Sequence, residues 1–337
     1  MGDWRLEIRV LSAADVVQAL PMSEAIAGMK SAFAQLSTGK AIVPLRGRVD
    51  VGGPGGAQGV TLVMPAYLAE SKDLAVKVVS VFPQNVSRAE PTIYAMVLVL
   101  DAMTGRPLAL MEGGTLTAIR TGAGAGAATD LLARPDAEVA TILGSGVQAR
   151  TQLEAVCTVR PVRRVSVYSP TPGRAAAFAR EMAGKGPIPD DIQVVGDPDA
   201  AVRGADIICA ATTSTTPVFR GRFLRPGAHV NGVGSFTPAM QEVDVETIQR
   251  ALVVVDSRAA ALAEAGDLII PLERGLIQED HIVAELGEIV AGVKPGRTRP
   301  EQITFFKSVG VAVQDAICGR IALENAISRD LGTAVAL

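Results

Sequence analysis

The sequence contains few of the residues on which several classes of protein depend. Aromatic residues make up 4% of its 337 residues, and it has two histidines and three cysteines. The scarcity of aromatic residues disfavours an aromatic-cored β-sandwich, and the many small residues suit closely packed α/β layers. Lysine and arginine total 32 against 35 acidic residues, and no basic block is present, so we expect no nucleic-acid partner.

The cysteines and the lack of long apolar runs indicate the compartment. Cys157, Cys209 and Cys318 are widely separated, and they match neither a disulfide framework nor a metal-ligand spacing. No uncharged apolar run reaches the ~18 residues of a membrane span, and the first residues lack the apolar core of a signal peptide. We therefore expect a cytoplasmic protein that binds no metal and no membrane.

The length predicts about two domains, and the predicted elements change character along the chain. After a predicted helix over residues 12–36, strands without intervening helices between residues 43 and 112 indicate an antiparallel or mixed sheet. From about residue 135, strands and helices alternate, which is typical of a parallel, doubly wound sheet. A last helix, residues 308–328, is predicted to pack on the first domain. We predict an α/β protein in which a Rossmann-type domain, residues 123–304, is inserted into a discontinuous α+β domain, residues 1–122 plus 305–337.

A glycine-rich turn opens the alternating region. Residues Gly144–Ala149 read G-S-G-V-Q-A, the spacing G-x-G-x-x-A, between a predicted apolar strand and a helix. Gly144 permits the tight turn, Gly146 lets the backbone approach a pyrophosphate, and the small Ala149 lets the helix pack against the strand. The alternative is an ordinary glycine turn in an α/β domain, and the alternation of strands and helices around the motif favours the first interpretation. The motif predicts a dinucleotide site.

The residues after the second Rossmann strand bear on the choice of coenzyme. An NAD enzyme usually offers an acid there, but Tyr168 is followed by Ser169, Thr171 and Arg174. Hydroxyls and an arginine suit a 2′-phosphate, so NADPH is favoured, with NADH as the other coenzyme. The alternative is that Arg174 is only a solvated helix residue.

Two further strand ends are expected to line the ribose and nicotinamide, because ligands of such sheets bind beyond the carboxyl ends of the strands. They are residues 210–214, which include Thr212, and residues 231–234, which include Val233 and Gly234. Each segment alone is equally consistent with a plain loop.

Three cations outside the predicted Rossmann domain are candidates for a substrate site. Lys77 interrupts an apolar strand, Arg120 lies in a small-residue helix, and Arg46 lies in a turn before a strand. Two arginines could hold a carboxylate, and a lysine could act as an acid or base. Spacing leaves open whether they converge, and the alternative for Lys77 is a solvated sheet face. Asp315 and His229 are interpreted as structural.

Short stretches distributed along the chain carry a family resemblance. They are residues 74–83, 91–92, 116–121, 144–149, 254–258, 285–288 and 306–310. With these stretches the sequence resembles the ornithine cyclodeaminase/μ-crystallin family over essentially its whole length. The resemblance implies a homodimer formed through the N-terminal domain. It also implies that Arg46, Lys77 and Arg120 face the substrate, with Lys77 as the acid/base. Residues near the cofactor, by the same resemblance, are Thr92, Arg120, Val147, Gln148, Ser169 and Ser308.

One departure from the family pattern bears on the reaction. In ornithine cyclodeaminases, the loop after the fifth Rossmann strand carries an aspartate taken as catalytic. Phe236 stands at that place here, and Met240 replaces a common lysine. A phenyl ring cannot act as a base, so deamination with ring closure is disfavoured. The G-S-F-T-P loop resembles the cyclic imine reductases of the family, and Phe236 would contact an apolar ring.

The resemblance therefore favours NAD(P)H-dependent reduction of Δ1-pyrroline-2-carboxylate to L-proline, with reduction of Δ1-piperideine-2-carboxylate to L-pipecolate as a further reaction. Two alternatives stay open. One is an ornithine cyclodeaminase or an alanine-type amino-acid dehydrogenase, and the other is a non-catalytic NADPH-binding protein of the μ-crystallin kind.

Overall fold

The structure, a computed structural model, describes residues 6–52 and 58–337. The chain separates into two compact units, residues 1–120 with 312–337, and residues 121–311. The sequence predicts boundaries after residues 122 and 304 instead. The second boundary differs because residues 303–307 form a strand of the second unit's sheet. The expectation that the first residues do not form a signal peptide depends in part on residues 1–5, which lie outside the described residues.

The first unit is built on a mixed sheet. Its strands are β1 (Glu7–Leu11), β2 (Ala41–Ile42), β3 (Gly47–Val51), β4 (Gly59–Leu68), β5 (Asp73–Val81), β6 (Ile93–Asp101), β7 (Pro107–Glu112) and β16 (Thr333–Ala336). Their order is β16-β1-β7-β6-β5-β4-β2, with β3 also paired with β4. The β1–β7 pair is parallel and the other pairs are antiparallel, which confirms the predicted mixed sheet.

The helices of the first unit correct one prediction. They are α1 (Ala13–Ala19), α2 (Met22–Ser37), α11 (Ala312–Ser328), a 3-10 helix (Pro83–Arg88) and the beginning of α3 (Gly113–Leu132). Ser12 caps α1 as predicted, since its hydroxyl accepts the backbone N–H of Asp15 at 3.3 Å. A single helix over residues 12–36 is wrong, because Pro21 has no N–H to donate and cannot continue a helix, so α2 begins at Met22.

One face of this sheet packs against α2 and α11. In β5, alternate residues Asp73, Ala75 and Lys77 are buried, as the two-residue period of a strand requires. The two helices approach closely at Gly28, where a Cβ would lie 2.6 Å from Cδ1 of Ile321. The apolar core of the first unit therefore lies between this face and the two helices.

The second unit contains a parallel sheet. Its strands are β8 (Val139–Leu143), β9 (Arg164–Tyr168), β10 (Ile192–Val194), β11 (Ile207–Ala210), β12 (His229–Gly232), β13 (Ala251–Val255), β14 (Ile282–Glu285) and β15 (Ile303–Lys307). Its helices include α4 (Val147–Val159), α5 (Pro172–Met182), α6 (Pro198–Arg203), α7 (Val245–Arg250), α8 (Arg258–Glu264), α9 (Gly266–Glu273) and α10 (Leu286–Val290), with 3-10 turns at Gly221–Phe223 and Glu279–His281.

The strand order of the second unit is β10-β9-β8-β11-β12-β15-β13-β14, and every pair is parallel. The predicted parallel, doubly wound sheet is confirmed. Apolar clusters cover both faces: in β11, Ile207 and Cys209 belong to one cluster and Ile208 to the other. From β8 the chain continues to β9 and β10 on one side of β8, and it then returns to form β11 on the other side of β8. Ligands of doubly wound sheets bind at such a reversal, beyond the carboxyl ends of the strands.

Candidate active site

The first unit carries a buried lysine in the middle of its sheet. Lys77 of β5 pairs with Met64 of β4 and Val97 of β6, and the residue is 2% exposed. It points to the face that α11 covers. The alternative interpretation of Lys77 as a solvated residue is therefore wrong.

Lys77 belongs to a cluster of charged and polar side chains. Its Nζ lies 2.7 Å from Oδ2 of Asp315. Nε of Arg120 donates to Oδ1 of the same carboxylate at 3.2 Å, and Nη1 of Arg120 donates to Oε1 of Gln314 at 2.9 Å. All four side chains are buried. Two cations thus share one carboxylate, and the cluster carries an excess of positive charge.

Asp315 is the member of this cluster that the sequence pattern does not reveal. Its place on the terminal helix predicts a structural role. The structure instead bonds it to both Lys77 and Arg120. The available signal was an acid on the buried face of α11, where an ion must have a partner.

The surroundings of Lys77 change its acidity. Burial lowers the pKa of Lys77 to about 8, and the charges of Arg120 and Arg46 also lower it, while the Asp315 carboxylate raises it. Arg46, between β2 and β3, is half-buried and close enough to act on Lys77 through its charge. An amine with a pKa near 8 exists in both protonation states near neutral pH, which suits proton transfer. The excess positive charge suits an anionic substrate.

In the second unit, the glycine turn has the geometry of a phosphate-binding loop. Gly144 has a φ of 111°, and a Cβ there would lie 2.4 Å from the carbonyl oxygen of Ala211. Gly146 caps α4 with an ordinary φ of −82°, and a Cβ there would meet no described atom within 4 Å. Gly146 is therefore not required by the backbone, and the open space beside it is the room that a pyrophosphate needs.

The two residues that follow Gly146 offer an exposed apolar side chain and a buried oxygen without a described hydrogen-bond donor. Val147 begins α4 and is 65% exposed. Oε1 of Gln148 is buried and has no hydrogen-bond partner among the described residues. An unpaired buried acceptor is costly, so it is a natural contact for a ligand that donates. These observations fit a dinucleotide at the loop.

A cavity of about 260 Å³ lies beyond the end of β9. Its lining comprises Tyr168, Ser169, Pro170, Pro172, Val194, Val195 and Gly196. In the described part of the chain, this lining offers hydroxyls and apolar groups but no carboxylate. Ser169 is buried and accepts from the hydroxyl of Ser145 at 3.2 Å, whereas Thr171 and Arg174 are exposed. The cavity has the position of an adenosine site in this type of sheet.

The loops after β11 and β12 are held together by one buried carboxylate. Glu242 accepts the backbone N–H groups of Thr212, Gly234 and Ser235, at 2.5 to 3.0 Å. Gly234 has no room for a side chain, since a Cβ would lie within 2.4 Å of both Thr212 and Glu242. Val233 is buried beside them. These hydrogen bonds fix the loops expected to line the nicotinamide. No local pattern predicts this role, because Glu242 occurs in an ordinary polar segment.

A second buried carboxylate holds the turn after β15. Asp256 accepts the hydroxyl of Ser308 at 2.8 Å and the backbone N–H groups of Val309 and Gly310. The hydroxyl proton of Ser308 is therefore already engaged. Ser308 would contact a cofactor as an acceptor.

The remaining predicted residues occupy less connected positions. Phe236 lies in the loop after β12, in the second unit, and is 45% exposed. Thr92 is half-buried in the first unit, where its carbonyl accepts the N–H of Phe82 at 2.8 Å. His229 is fully buried between Thr304 and Asn231, and burial lowers its pKa to about 3, so it is a neutral core residue.

No group of three or more His, Cys, Asp or Glu side chains in residues 6–52 and 58–337 is arranged to hold a metal ion. None of the described helices is both long enough and apolar enough to cross a membrane.

The fold and these sites identify the class of protein. The chain belongs to the ornithine cyclodeaminase/mu-crystallin family, whose model matches residues 7–330. The resemblance inferred from the motifs is thereby confirmed.

Particular members of the family are similar over nearly the whole chain. The sequence is 42% identical to a Δ1-pyrroline-2-carboxylate reductase of Bacillus cereus, over 97% of this chain and 99% of the relative. A solved Δ1-pyrroline-2-carboxylate reductase of Thermococcus litoralis, in complex with NADH and L-proline, is similar with a TM-score of 0.91 and 46% identity, over 97% of this chain and 100% of that one. An archaeal alanine dehydrogenase dimer with bound NAD has a TM-score of 0.89 and 32% identity, over 98% and 99% of the two chains.

Proposed function

We propose that this protein is an NAD(P)H-dependent reductase of cyclic α-imino acids, converting Δ1-pyrroline-2-carboxylate to L-proline. The observation that carries the proposal is the buried cluster in which Lys77, Arg120 and Asp315 meet. It combines a titratable ammonium, which can protonate the imine nitrogen, with an excess of positive charge, which suits the substrate carboxylate. The relative from Thermococcus litoralis, which holds NADH and L-proline, supports the substrate and coenzyme classes. Reduction of the six-membered imine to L-pipecolate is part of the proposal.

Lys77 is the proposed acid. A cyclic imine accepts a hydride at C2 when its nitrogen is protonated, because the iminium ion is the stronger electrophile. The Lys77 ammonium donates that proton to the imine nitrogen, or the neutral Lys77 amine accepts a hydrogen bond from a nitrogen that is already protonated, and the product amine keeps the proton. The reduced nicotinamide, when bound, supplies the hydride. Asp315 keeps Lys77 charged by pairing with it at 2.7 Å.

Arg46 and Arg120 are the proposed carboxylate ligands. Both guanidinium groups act on Lys77 through their charge, which indicates that they lie near it. Arginine suits this task because its planar fork pairs with a carboxylate through two parallel hydrogen bonds. Phe236 is the proposed contact for the apolar ring of the substrate, by the family resemblance.

Most of the proposed coenzyme contacts lie in loops at the carboxyl ends of the parallel strands. Thr92 and Arg120 are included because the family resemblance implies them. They are Thr92, Arg120, Gly144, Gly146, Val147, Gln148, Ser169, Thr171, Arg174, Thr212, Val233, Gly234 and Ser308. We propose a preference for NADPH, since the cavity beyond β9 offers hydroxyls and Arg174 is exposed on the first turn of α5. The relative's NADH makes NADH the second coenzyme.

A homodimer is the proposed assembly, formed through the face of the first unit's sheet opposite to the one on which α2 and α11 pack. Val63, Val78 and Met96 pair side by side across β4, β5 and β6, and they are 37%, 41% and 49% exposed. A contiguous apolar row of this kind is typical of an interface. The archaeal relative is a dimer, which supports a second copy of this chain as the occupant.

All three cysteines are free and buried, which is consistent with a cytoplasmic location and no disulfides.

The experiment that tests the proposal is a panel assay of coenzyme oxidation. Purified protein is given NADPH or NADH with five- and six-membered cyclic imino acids and with pyruvate plus ammonia. L-ornithine is supplied with the oxidised coenzyme and proline is measured directly, because cyclodeamination consumes no coenzyme; formation of proline there identifies an ornithine cyclodeaminase. We expect oxidation with the cyclic imines and formation of L-proline or L-pipecolate. Turnover restricted to pyruvate and ammonia identifies an alanine-type dehydrogenase. Coenzyme binding without any turnover identifies a non-catalytic binding protein.

A further inference from the structure

The backbone of the glycine loop accepts hydrogen bonds from an arginine that has no role in the proposed function. Nη1 of Arg150 donates to the carbonyl oxygens of Ser145 and Gly146, both at 2.9 Å. Arg150 lies in α4, so its side chain reaches back to the turn that begins its own helix.

These two hydrogen bonds determine the direction of the N–H groups that a pyrophosphate would meet. In a trans peptide unit, the C=O and the N–H point in opposite directions. The Ser145 and Gly146 carbonyls face Arg150, so the N–H groups of Gly146 and Val147 face the other way. The space beside Gly146 is open, since a Cβ there would meet no described atom within 4 Å. Arg150 therefore aims two donors at the proposed phosphate position.

Arg150 is itself held in place by α5. Its Nε donates to Oε1 of Glu181 at 2.9 Å, and its Nη2 contacts the other carboxylate oxygen. The guanidinium carbon lies 5.5 Å from the centre of the Phe178 ring. The bond to Arg150 also lowers the pKa of Glu181, which keeps the carboxylate charged. Bidentate pairs of this kind fix geometry as well as charge.

We propose that Arg150 and Glu181 form a latch that presets the glycine loop for the pyrophosphate of the coenzyme, with both acting as positioning residues. The proposal rests on the proposed function only in requiring that the chain binds a dinucleotide. Without the latch, the loop would have to order its carbonyls when the ligand binds, and the cost would appear as weaker affinity.

The test uses a substitution for which simple electrostatics and the latch predict opposite changes in the affinity for the coenzyme. Glu181→Gln removes a negative charge near an anionic ligand, so simple electrostatics predicts tighter binding. The latch predicts weaker binding, by roughly tenfold, the equivalent of about one charge-assisted hydrogen bond. Arg150→Lys keeps the positive charge but loses the planar fork, and the latch predicts a similar loss. Glu138→Gln, which removes the acid of an exposed Arg–Glu pair at the other end of β8, is the matched control.

Dissociation constants for NADH, ADP-ribose and adenosine are measured by calorimetry, and melting temperatures are recorded for each variant. We expect the two latch variants to lose affinity for NADH and ADP-ribose, which contain a pyrophosphate, while the affinity for adenosine, which has no phosphate, stays within about twofold. In steady state, KM for NADH should rise while kcat at saturation is kept. Glu138→Gln should match the unmutated protein.

Unchanged or tighter NADH binding in Glu181→Gln would overturn the latch. Equal losses for NADH and adenosine with a lowered melting temperature would do the same, since they indicate damage to the fold. Failure of the unmutated protein to bind NADH would instead count against the proposed function. The two failures are therefore distinguishable.

Discussion

Replacing Asp315 by asparagine should shift the pH dependence of catalysis to lower pH while Lys77 and Arg120 stay in place. Asn has the shape of Asp, and its oxygen can still accept from Arg120, which lies 3.2 Å from Oδ1. The substitution removes the negative charge 2.7 Å from Nζ of Lys77. Because that charge raises the pKa of Lys77, its loss must lower the pKa below the present value of about 8.

The size of the effect follows from the geometry. An opposite charge in direct contact typically shifts a pKa by about 1–3 units, so Asp315→Asn should bring Lys77 to a pKa of roughly 5–7. At pH 7.5, a pKa of about 8 leaves roughly three quarters of the lysine charged, and a pKa of about 6 leaves about 3%. Imine reduction at this pH should therefore fall by about 25-fold, and it should recover as the pH is lowered.

The assay is kcat/KM for Δ1-pyrroline-2-carboxylate from pH 5 to 9, because this quantity reports the free enzyme's ionisations. Titration of the substrate is common to both proteins and cancels in the comparison. Asp73→Asn is a matched control, since Asp73 is a buried acid on the same strand whose ion pair is with Arg320 instead. An alkaline limb that stays in place in Asp315→Asn, or activity that does not recover at low pH, would refute the assignment of Lys77.

Three further substitutions test other parts of the site. Lys77→Met should lower kcat by roughly 10²–10⁴-fold while NADPH binding and the melting temperature are kept, and near-normal turnover would exclude Lys77 as the acid. Arg174→Ala should weaken NADPH binding by about 1–3 kcal/mol, measured by titration, and leave NADH nearly unaffected; an equal loss for both coenzymes means that Arg174 does not contact the 2′-phosphate. Phe236→Asp should impair imine reduction, because an ionised carboxylate would be desolvated beside an apolar ring, and unchanged kcat/KM would remove Phe236 from the substrate site.

The dinucleotide half of the site could be predicted from sequence because its signals are local. Gly144 and Gly146 lie within one turn, and the strand and helix on either side of them are recognisable by their apolar patterns. Strand β15 is not evident from the sequence, because its five residues end in Lys307 and directly precede a predicted helix. In the structure, Lys307 is fully buried with its Nζ 2.9 Å from Asp267, so a charged residue occupies a central strand.

The substrate half depends on contacts between distant parts of the chain. Arg120 and Asp315 are 195 residues apart in sequence, and no local pattern connects them. A lysine in an apolar strand is ambiguous until its partner is known, because burial without a counter-charge would be unfavourable. Pairing with Asp315 is what allows Lys77 to be buried, and only the tertiary structure supplies that pairing.

The most direct test of the proposed reaction follows the hydride itself. The protein is incubated with Δ1-pyrroline-2-carboxylate and NADPH that carries deuterium at the transferred position of C4, and the product is examined by NMR and mass spectrometry. The account predicts L-proline with one deuterium at Cα for each coenzyme oxidised, and no proline from L-ornithine. Unlabelled proline, no oxidation of the coenzyme by the imine, or proline formed from ornithine at a matching rate would contradict it.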